Sequence, residues 1–348
     1  MKRAKQVAFT AAVVTLGSVG FLAARNLPDQ EAAGKERAFA FTYEVHVPAN
    51  ESANGETRLW IPLPQSDQHQ TIRNLSIDST VQHTRGKENE YANAFEEFAP
   101  TPAQSVAGYD VTLKFEVMRH EFRKDLSAVK SPAMRPTTRK NEPMLARYLQ
   151  PDKMVPLNAR IVELAREQTE GASEPLEKAR RIYTYVASTM RYDKSGEGWG
   201  RGDAIWACDS KRGNCTDFHS VLIGMMRASQ IPARFAIGFP LPEGKNEGEI
   251  PGYHCWAEFY LDGTGWVPVD ASEASKNPAK REYFFGTVDA DRVMFTYGRD
   301  LKLSANQKGG PLNFFVYAYA ESNGQPVKGL QSRFSFRDLA TTAQSGGR

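Results

Sequence analysis

The densest chemistry in the chain lies between residues 211 and 270. Lys211-Arg212-Gly213-Asn214-Cys215-Thr216-Asp217-Phe218 runs from a glycine turn into Val221, Leu222, Met225 and Met226, an apolar pattern of helical period. That spacing puts Cys215 at or beside a helix N-terminus, with Asn214 or Thr216 as its cap. There the unsatisfied N–H groups and the positive end of the dipole favour an anion, so a thiol titrates below its free value of roughly 8.5. A cysteine in this position is an activated nucleophile, whereas a structural cysteine gains nothing from it.

Downstream, Tyr253-His254-Cys255-Trp256-Ala257-Glu258-Phe259-Tyr260 alternates as a strand, with Tyr253, Cys255, Ala257 and Phe259 on one face and His254, Trp256, Glu258 and Tyr260 on the other. Leu261-Asp262-Gly263-Thr264-Gly265 turns the chain, and Trp266-Val267-Pro268-Val269-Asp270 returns it. A three-residue loop centred on Gly263 sets Trp256 opposite Asp270. His254 and Asp270 are then diagonal neighbours about 7 to 8 Å apart at Cα. A two-residue loop would put Asp270 on the wrong face, so the longer loop is expected. The three groups then have the parts of nucleophilic acyl transfer: a Cys215 thiolate attacks a carbonyl, His254 shuttles protons, and Asp270 orients the imidazole and stabilises its cation. The Cys215 N–H is a natural oxyanion donor, and an indole from Trp206 or Trp199 is the candidate for the second.

The elements that must position these groups follow from hydropathy. Phe39, Phe41, Tyr43, Val45 and Val47 alternate, as do Val111, Leu113, Phe115 and Val117, and a short strand over 59–63 is stopped by Pro62 and Pro64. Residues 35–125 therefore read as an all-β domain, a small sandwich. A polar, basic, proline-containing connection over 126–156 leads to helices near 158–168 and 176–192, and the catalytic domain spans 157–338. Gly196 to Gly202 supply a loop before the cysteine segment. Residues 339–348 read as a disordered tail.

At the N-terminus Lys2, Arg3 and Lys5 precede an uncharged stretch over 7–24 and then Arg25, the layout of an export signal. Residues 1–30 are expected to be a signal peptide, or an anchor tethering the protein to the inner membrane through residues 7–24. The protein is thus expected to be exported, either periplasmic or extracellular. A net charge of only +3 says little about partners, and with no basic stripe interleaved with aromatics in the way a nucleic-acid groove needs, no nucleic-acid partner is expected.

Other residues carry less. His219 lies one helical turn beyond Cys215 and shares its face, but no carboxylate is placed to orient it. It reads as a buried, hydrogen-bonded histidine. Asp217 complements the helix dipole, and Glu258, Arg299 and Asp300 read as salt-bridged scaffold. His46, His69, His83 and His120 lack metal-ligand spacing, and no metal or cofactor is expected. Three cysteines in an exported chain leave one unpaired. Cys208 and Cys255 either pair, with Cys255 facing away from the catalytic side of its strand, or stay as two small buried groups.

Four ordered blocks carry a resemblance: Gly213-Asn214-Cys215-Thr216-Asp217-Phe218-His219, Gln230-Ile231-Pro232-Ala233-Arg234, Tyr253-His254-Cys255-Trp256-Ala257-Glu258 and Gly265-Trp266-Val267-Pro268-Val269-Asp270. Together they resemble the core signature of bacterial transglutaminase-like domain proteins, over about residues 157–300. Leu59-Trp60-Ile61-Pro62-Leu63-Pro64 is also similar to the N-terminal region of such exported proteins. Gln230 departs from the usual glycine. The resemblance implies an α+β fold, a papain-like transglutaminase core of helices packed on an antiparallel sheet preceded by a small all-β sandwich-like domain. It sets Cys215, His254 and Asp270 on the family's triad positions. The expected reaction is acyl transfer at amide bonds of a peptide, protein or peptidoglycan peptide through a thioester. Hydrolysis is favoured over glutamine–amine cross-linking because no dedicated dry site is evident, and a non-catalytic cell-envelope scaffold is the alternative from another class.

Overall fold

The computed structural model of the chain describes residues 34–50, 56–127, 129 and 143–340. The expected signal or anchor over 1–30, much of the connection and nearly all of the C-terminal tail lie outside the described residues. Among the described residues, no helix is long and apolar enough to cross a membrane.

Strand Glu36–Val47 buries Phe39, Phe41, Tyr43, Val45 and Val47, as its alternation requires. It pairs antiparallel along its whole length with Tyr109–His120. A five-stranded sheet results, in the order Glu247–Glu249, Gln331–Asp338, Glu36–Val47, Tyr109–His120, Gln70–Asp78. A second runs Gln325–Pro326, Tyr319–Ser322, Thr57–Pro62, Ala94–Phe98, His83–Lys87. The sheets of the N-terminal region are therefore completed by strands from the far end of the chain, beyond the division read at residue 125. Register such as Phe41↔Phe336 joins residues too distant in sequence to leave a local signal.

The helical region follows the apolar stripes. Helix Ala159–Gln168 starts at Asn158, whose side chain accepts from the Ile161 N–H, and buries Ile161, Leu164 and Ala165. Helix Pro175–Thr189 opens on a proline and buries Ala179, Ile182, Tyr183 and Val186. A helix absent from the sequence expectation, Ala204–Ser210, is capped by Asp203. Cys215–Ala228 is buried on nearly every side, the environment of a central core helix. It packs on a four-stranded antiparallel sheet ordered Gly265–Val269, His254–Leu261, Ala233–Pro240, Arg292–Tyr297. The last pairing shifts register between Ile237 and Gly238, where a Cβ on Gly238 would stand 1.8 Å from the Val293 carbonyl oxygen. Only glycine permits that approach.

The two regions share one core. Phe239 of the four-stranded sheet packs against Phe41 at 5.6 Å, Phe295 at 5.1 Å and Phe334 at 4.1 Å between ring centroids. The outer edge of that sheet is closed by side-chain amides in place of a strand. Gln70 donates to the Met294 carbonyl and accepts from its N–H, both at 2.9 Å. Asn93 does the same at Tyr297, at 2.7 and 2.8 Å. Backbone groups that would be orphaned at an edge are thereby satisfied.

Candidate active site

Cys215 is the first residue of its helix, as expected, and is 2% exposed. Asn214 is the cap: its side-chain oxygen accepts from the Thr216 N–H at 2.9 Å, while Asp217 accepts from the Asn214 N–H at 2.9 Å to close a capping box. Asp217 does more than complement the dipole. It also accepts from the N–H groups of Gly200 at 2.6 Å and Gly202 at 2.9 Å, pinning the glycine loop against the helix start. Gly213 makes this possible, with φ of +147° and its α-carbon so close that a Cβ would meet Asp217 Oδ2 at 2.3 Å.

The hairpin has the expected loop of residues 262–264. Leu261 pairs with Gly265 and Ala257 with Val269, which brings Trp256 into line with Asp270. Gly263 and Gly265 adopt φ of +76° and +84°. Asp270 caps helix Ala271–Lys276 and is fully buried. Its Oδ1 accepts from the Ser272 hydroxyl at 2.9 Å and the Glu273 N–H at 3.0 Å. Its Oδ2 accepts from His254 Nε2 at 2.7 Å and from Arg292 Nη1 at 3.3 Å. Every lone pair of the carboxylate is engaged, so its orientation is fixed. Nε2 being taken, the other imidazole nitrogen, Nδ1, is the one left to serve the Cys215 thiol, whose charge in turn raises His254.

The electrostatics are those of an ion pair. Burial alone would push the Cys215 thiol up. Hydrogen bonds from Cys255 and His254, and the charge of His254, overcome it and hold the thiol well below its ordinary value. Burial opposes charge on His254 too, but the Asp270 carboxylate and the Cys215 contact raise it to about 10. Asp270 is held well below the carboxylate range against its own burial by His254 and Arg292. Arg292 is itself clamped by Asp289 at 2.6 Å and lies over the Trp256 ring at 5.1 Å. Sequence reasoning missed Arg292 and Asp289. They follow the hairpin by some twenty residues, and only the 292–297 strand pairing brings them under Asp270.

His219 is buried with both ring nitrogens engaged. Nδ1 donates to the Cys215 carbonyl at 2.8 Å, and Nε2 accepts the Ala271 N–H at 3.2 Å. A ring accepting at Nε2 is neutral, and it ties the helix start to the Asp270 turn. Cys255 corrects an expectation. It does not face away from the site, since its thiol lies 3.7 Å from His219 Nδ1 and helps to hold the Cys215 thiol low. The Cys215 helix packs on the Cys255 face, while His254 and Asp270 sit at strand ends, where groups from both faces converge. All three cysteines are free, so Cys208 and Cys255 are not paired. Glu258 bridges Arg234 at 2.5 Å as read. Arg299 instead donates to the Gly202 carbonyl at 2.8 Å and packs over Phe235. Trp199 spends its indole N–H on the Gly196 carbonyl at 3.0 Å, and the Trp206 nitrogen lies over Gly198.

A cleft of about 660 Å³ opens on the His254 side, bordered by Glu273, Arg292, Tyr283 and Lys280. His254, Asp270 and Glu273 bring ligand-type atoms within 4.8 Å of one another. A guanidinium 3.3 Å from Asp270 opposes a cation there, so the group reads as a hydrogen-bonded cluster.

Comparison with known proteins agrees with this geometry. Residues 162–271 match the model of the transglutaminase-like superfamily. An uncharacterized protein of Haemophilus influenzae is 27% identical over 356 residues, covering 92% of this chain and 96% of that one. The uncharacterized protein YebA of Bacillus subtilis is 27% identical over 149 residues, 38% of this chain and 20% of its own length. A crystal structure of a presumed cysteine protease from Cytophaga hutchinsonii superposes with a TM-score of 0.61 at 15% identity, covering 88% of this chain and 92% of that one. It shares the α+β architecture from the N-terminal sheets to the helical core. Residues 162–271, which hold Cys215, His254 and Asp270, are thus the part of this chain that matches the transglutaminase-like superfamily.

Proposed function

We propose that the chain is a cysteine-dependent acyl-transfer enzyme that opens amide bonds of peptides or proteins through a thioester, with water rather than an amine resolving the intermediate. The observation that carries this reading is the buried grouping of Cys215 at its helix start with His254 and Asp270, in which His254 Nε2 is bonded to Asp270 at 2.7 Å and His254 and the Cys215 thiol shift each other's charge state. The Cys215 thiolate adds to the carbonyl carbon, the C–N bond breaks, and His254 gives its proton to the departing amine. Neutral His254 then takes a proton from water as it attacks the thioester, and the acid product leaves with Cys215 restored. Water is favoured because no dedicated dry approach for an amine is evident beside Cys215 among the described residues; the solvent-open cleft with charged borders reaches His254, the base that would activate water, though it does not reach Cys215 itself. A thioester reserved for an amine needs a dry approach instead. The substrate class is a peptide, a protein or a peptidoglycan peptide, reached outside the cytoplasm by the export signal over 1–30.

Acylation by 4-nitrophenyl acetate, followed by acid quench and intact mass, tests the reading. An acetyl group on Cys215 that is absent in Cys215→Ala and decays to acetate even with millimolar methylamine is the expected result. No adduct overturns the enzyme, and N-methylacetamide as the main product assigns cross-linking in its place.

A further inference from the structure

Tyr253 stands one residue before His254, and its hydroxyl reaches across to the Cys215 helix. It accepts from Asn214 Nδ2 at 3.1 Å and pairs with Thr216 Oγ1 at 2.9 Å. Those two residues flank Cys215 on either side. The ring is held from behind by Phe314 and Tyr317, with centroids at 5.5 and 5.8 Å.

Counting hydrogens gives the hydroxyl a direction. The Asn214 amide nitrogen can only donate, so it fills one phenol lone pair. Between Thr216 and Tyr253 there are two hydroxyl hydrogens and one contact, so one hydrogen is left over. Thr216 is 0% exposed, and its hydroxyl has no other acceptor among the described residues. A spare buried hydrogen there has lost its water and gained no partner, whereas Tyr253 is only partly buried. The favoured arrangement therefore has Thr216 donating. Both phenol lone pairs are filled, and the phenol hydrogen is left free on a hydroxyl held by the two residues that flank Cys215. Burial and the neighbouring Cys215 charge push the phenol above its ordinary pKa, so the hydrogen is retained at neutral pH.

The Cys215 N–H, first in its helix, has no intrahelical acceptor. We infer that the Tyr253 hydroxyl is the second oxyanion donor, acting with the Cys215 N–H. The inference rests on the acyl-transfer reading and takes the place of the indole. As the Cys215 sulfur bonds to the carbonyl carbon, the C=O π pair moves onto oxygen, and the two hydrogen bonds tighten on that oxygen. When the pair returns, the bond to the leaving group breaks. Tyr253 keeps its proton throughout, and His254 alone supplies one to a departing amine.

Oxyanion donation separates from positioning by comparing two reactions of Cys215 in the full chain, wild type against Tyr253→Phe. Acetylation by 4-nitrophenyl acetate passes through an oxyanion; alkylation by iodoacetamide does not. Loss of one donor is expected to slow acetylation about 100-fold or more. Alkylation across its pH range should stay within about twofold, which also reports an intact site. Equal slowing of both reactions would make Tyr253 a strut only and overturn the inference, as would acetylation unchanged by the substitution. A wild type that is alkylated but never acetylated would instead overturn the acyl-transfer reading itself.

Discussion

At the scale of single residues, reactivity is set by how three buried groups share charge. Cys215 is held low by Cys255 and His254, and His254 is held up to about 10 mainly by Asp270. The signs fix the pH behaviour. Below the depressed thiol pKa the sulfur is protonated and inert. Above about 10 the imidazolium is lost, and with it the acid that the proposed amide cleavage requires. Alkylation should therefore show one rise at low pH, and amide turnover should fall again as pH approaches 10. Asp270→Asn removes the charge that holds His254 up. The imidazole should drop toward roughly 6.5 and the alkylation midpoint of Cys215 should climb toward roughly 8.5, the values of free groups. Stopped-flow alkylation across pH measures both; an unshifted midpoint would mean that the helix start alone activates the thiol. Cys215, His254 and Asp270 were legible in sequence because each sits at a locally marked place: a capped helix start, a strand start and a hairpin end. Arg292 and the Cys255 contact were not, since they depend on strand 292–297 and on which sheet face the helix covers.

At the scale of elements, the helix start and the hairpin are positioned by backbone devices. Gly213 lets Asp217 close over the helix N-terminus and hold the Gly200 and Gly202 N–H groups. Gly213→Ala forces a side chain into both the positive-φ backbone and the Asp217 carboxylate. We expect a loss of about 1–3 kcal/mol in urea unfolding together with slower Cys215 labelling. Stability unchanged from wild type would show that the capping box is dispensable. The hairpin register was readable from Gly263 and Gly265 with period-2 alternation on each side. Helix Ala204–Ser210 was overlooked because its short run, Ala-Ile-Trp-Ala-Cys-Asp-Ser, has no periodic stripe of its own and is fixed by the Asp203 cap.

At the scale of the whole molecule, the N-terminal sheets are part of the scaffold of the site. Phe41 meets Phe239 and Phe295, and the Gln70 and Asn93 amides complete the edge of the sheet that carries His254. Residues 157–338 produced alone should lack a cooperative thermal transition, because the apolar face and the backbone at Met294 and Tyr297 would be bare. Gln70→Ala in the full chain should cost about 1–3 kcal/mol by leaving the Met294 groups unpaired. A fragment that unfolds cooperatively would contradict this shared core. Local patterning located both halves, but their fusion rests on pairings such as Tyr43↔Phe334 that only the folded chain creates.

The most direct measurement of the central claim is intact mass of the full chain after brief treatment with iodoacetamide at neutral pH, wild type beside Cys215→Ala and His254→Ala. The account predicts rapid addition of a single label in wild type, none at that rate in Cys215→Ala, and much slower labelling in His254→Ala. Equal, slow labelling of all three proteins would contradict it.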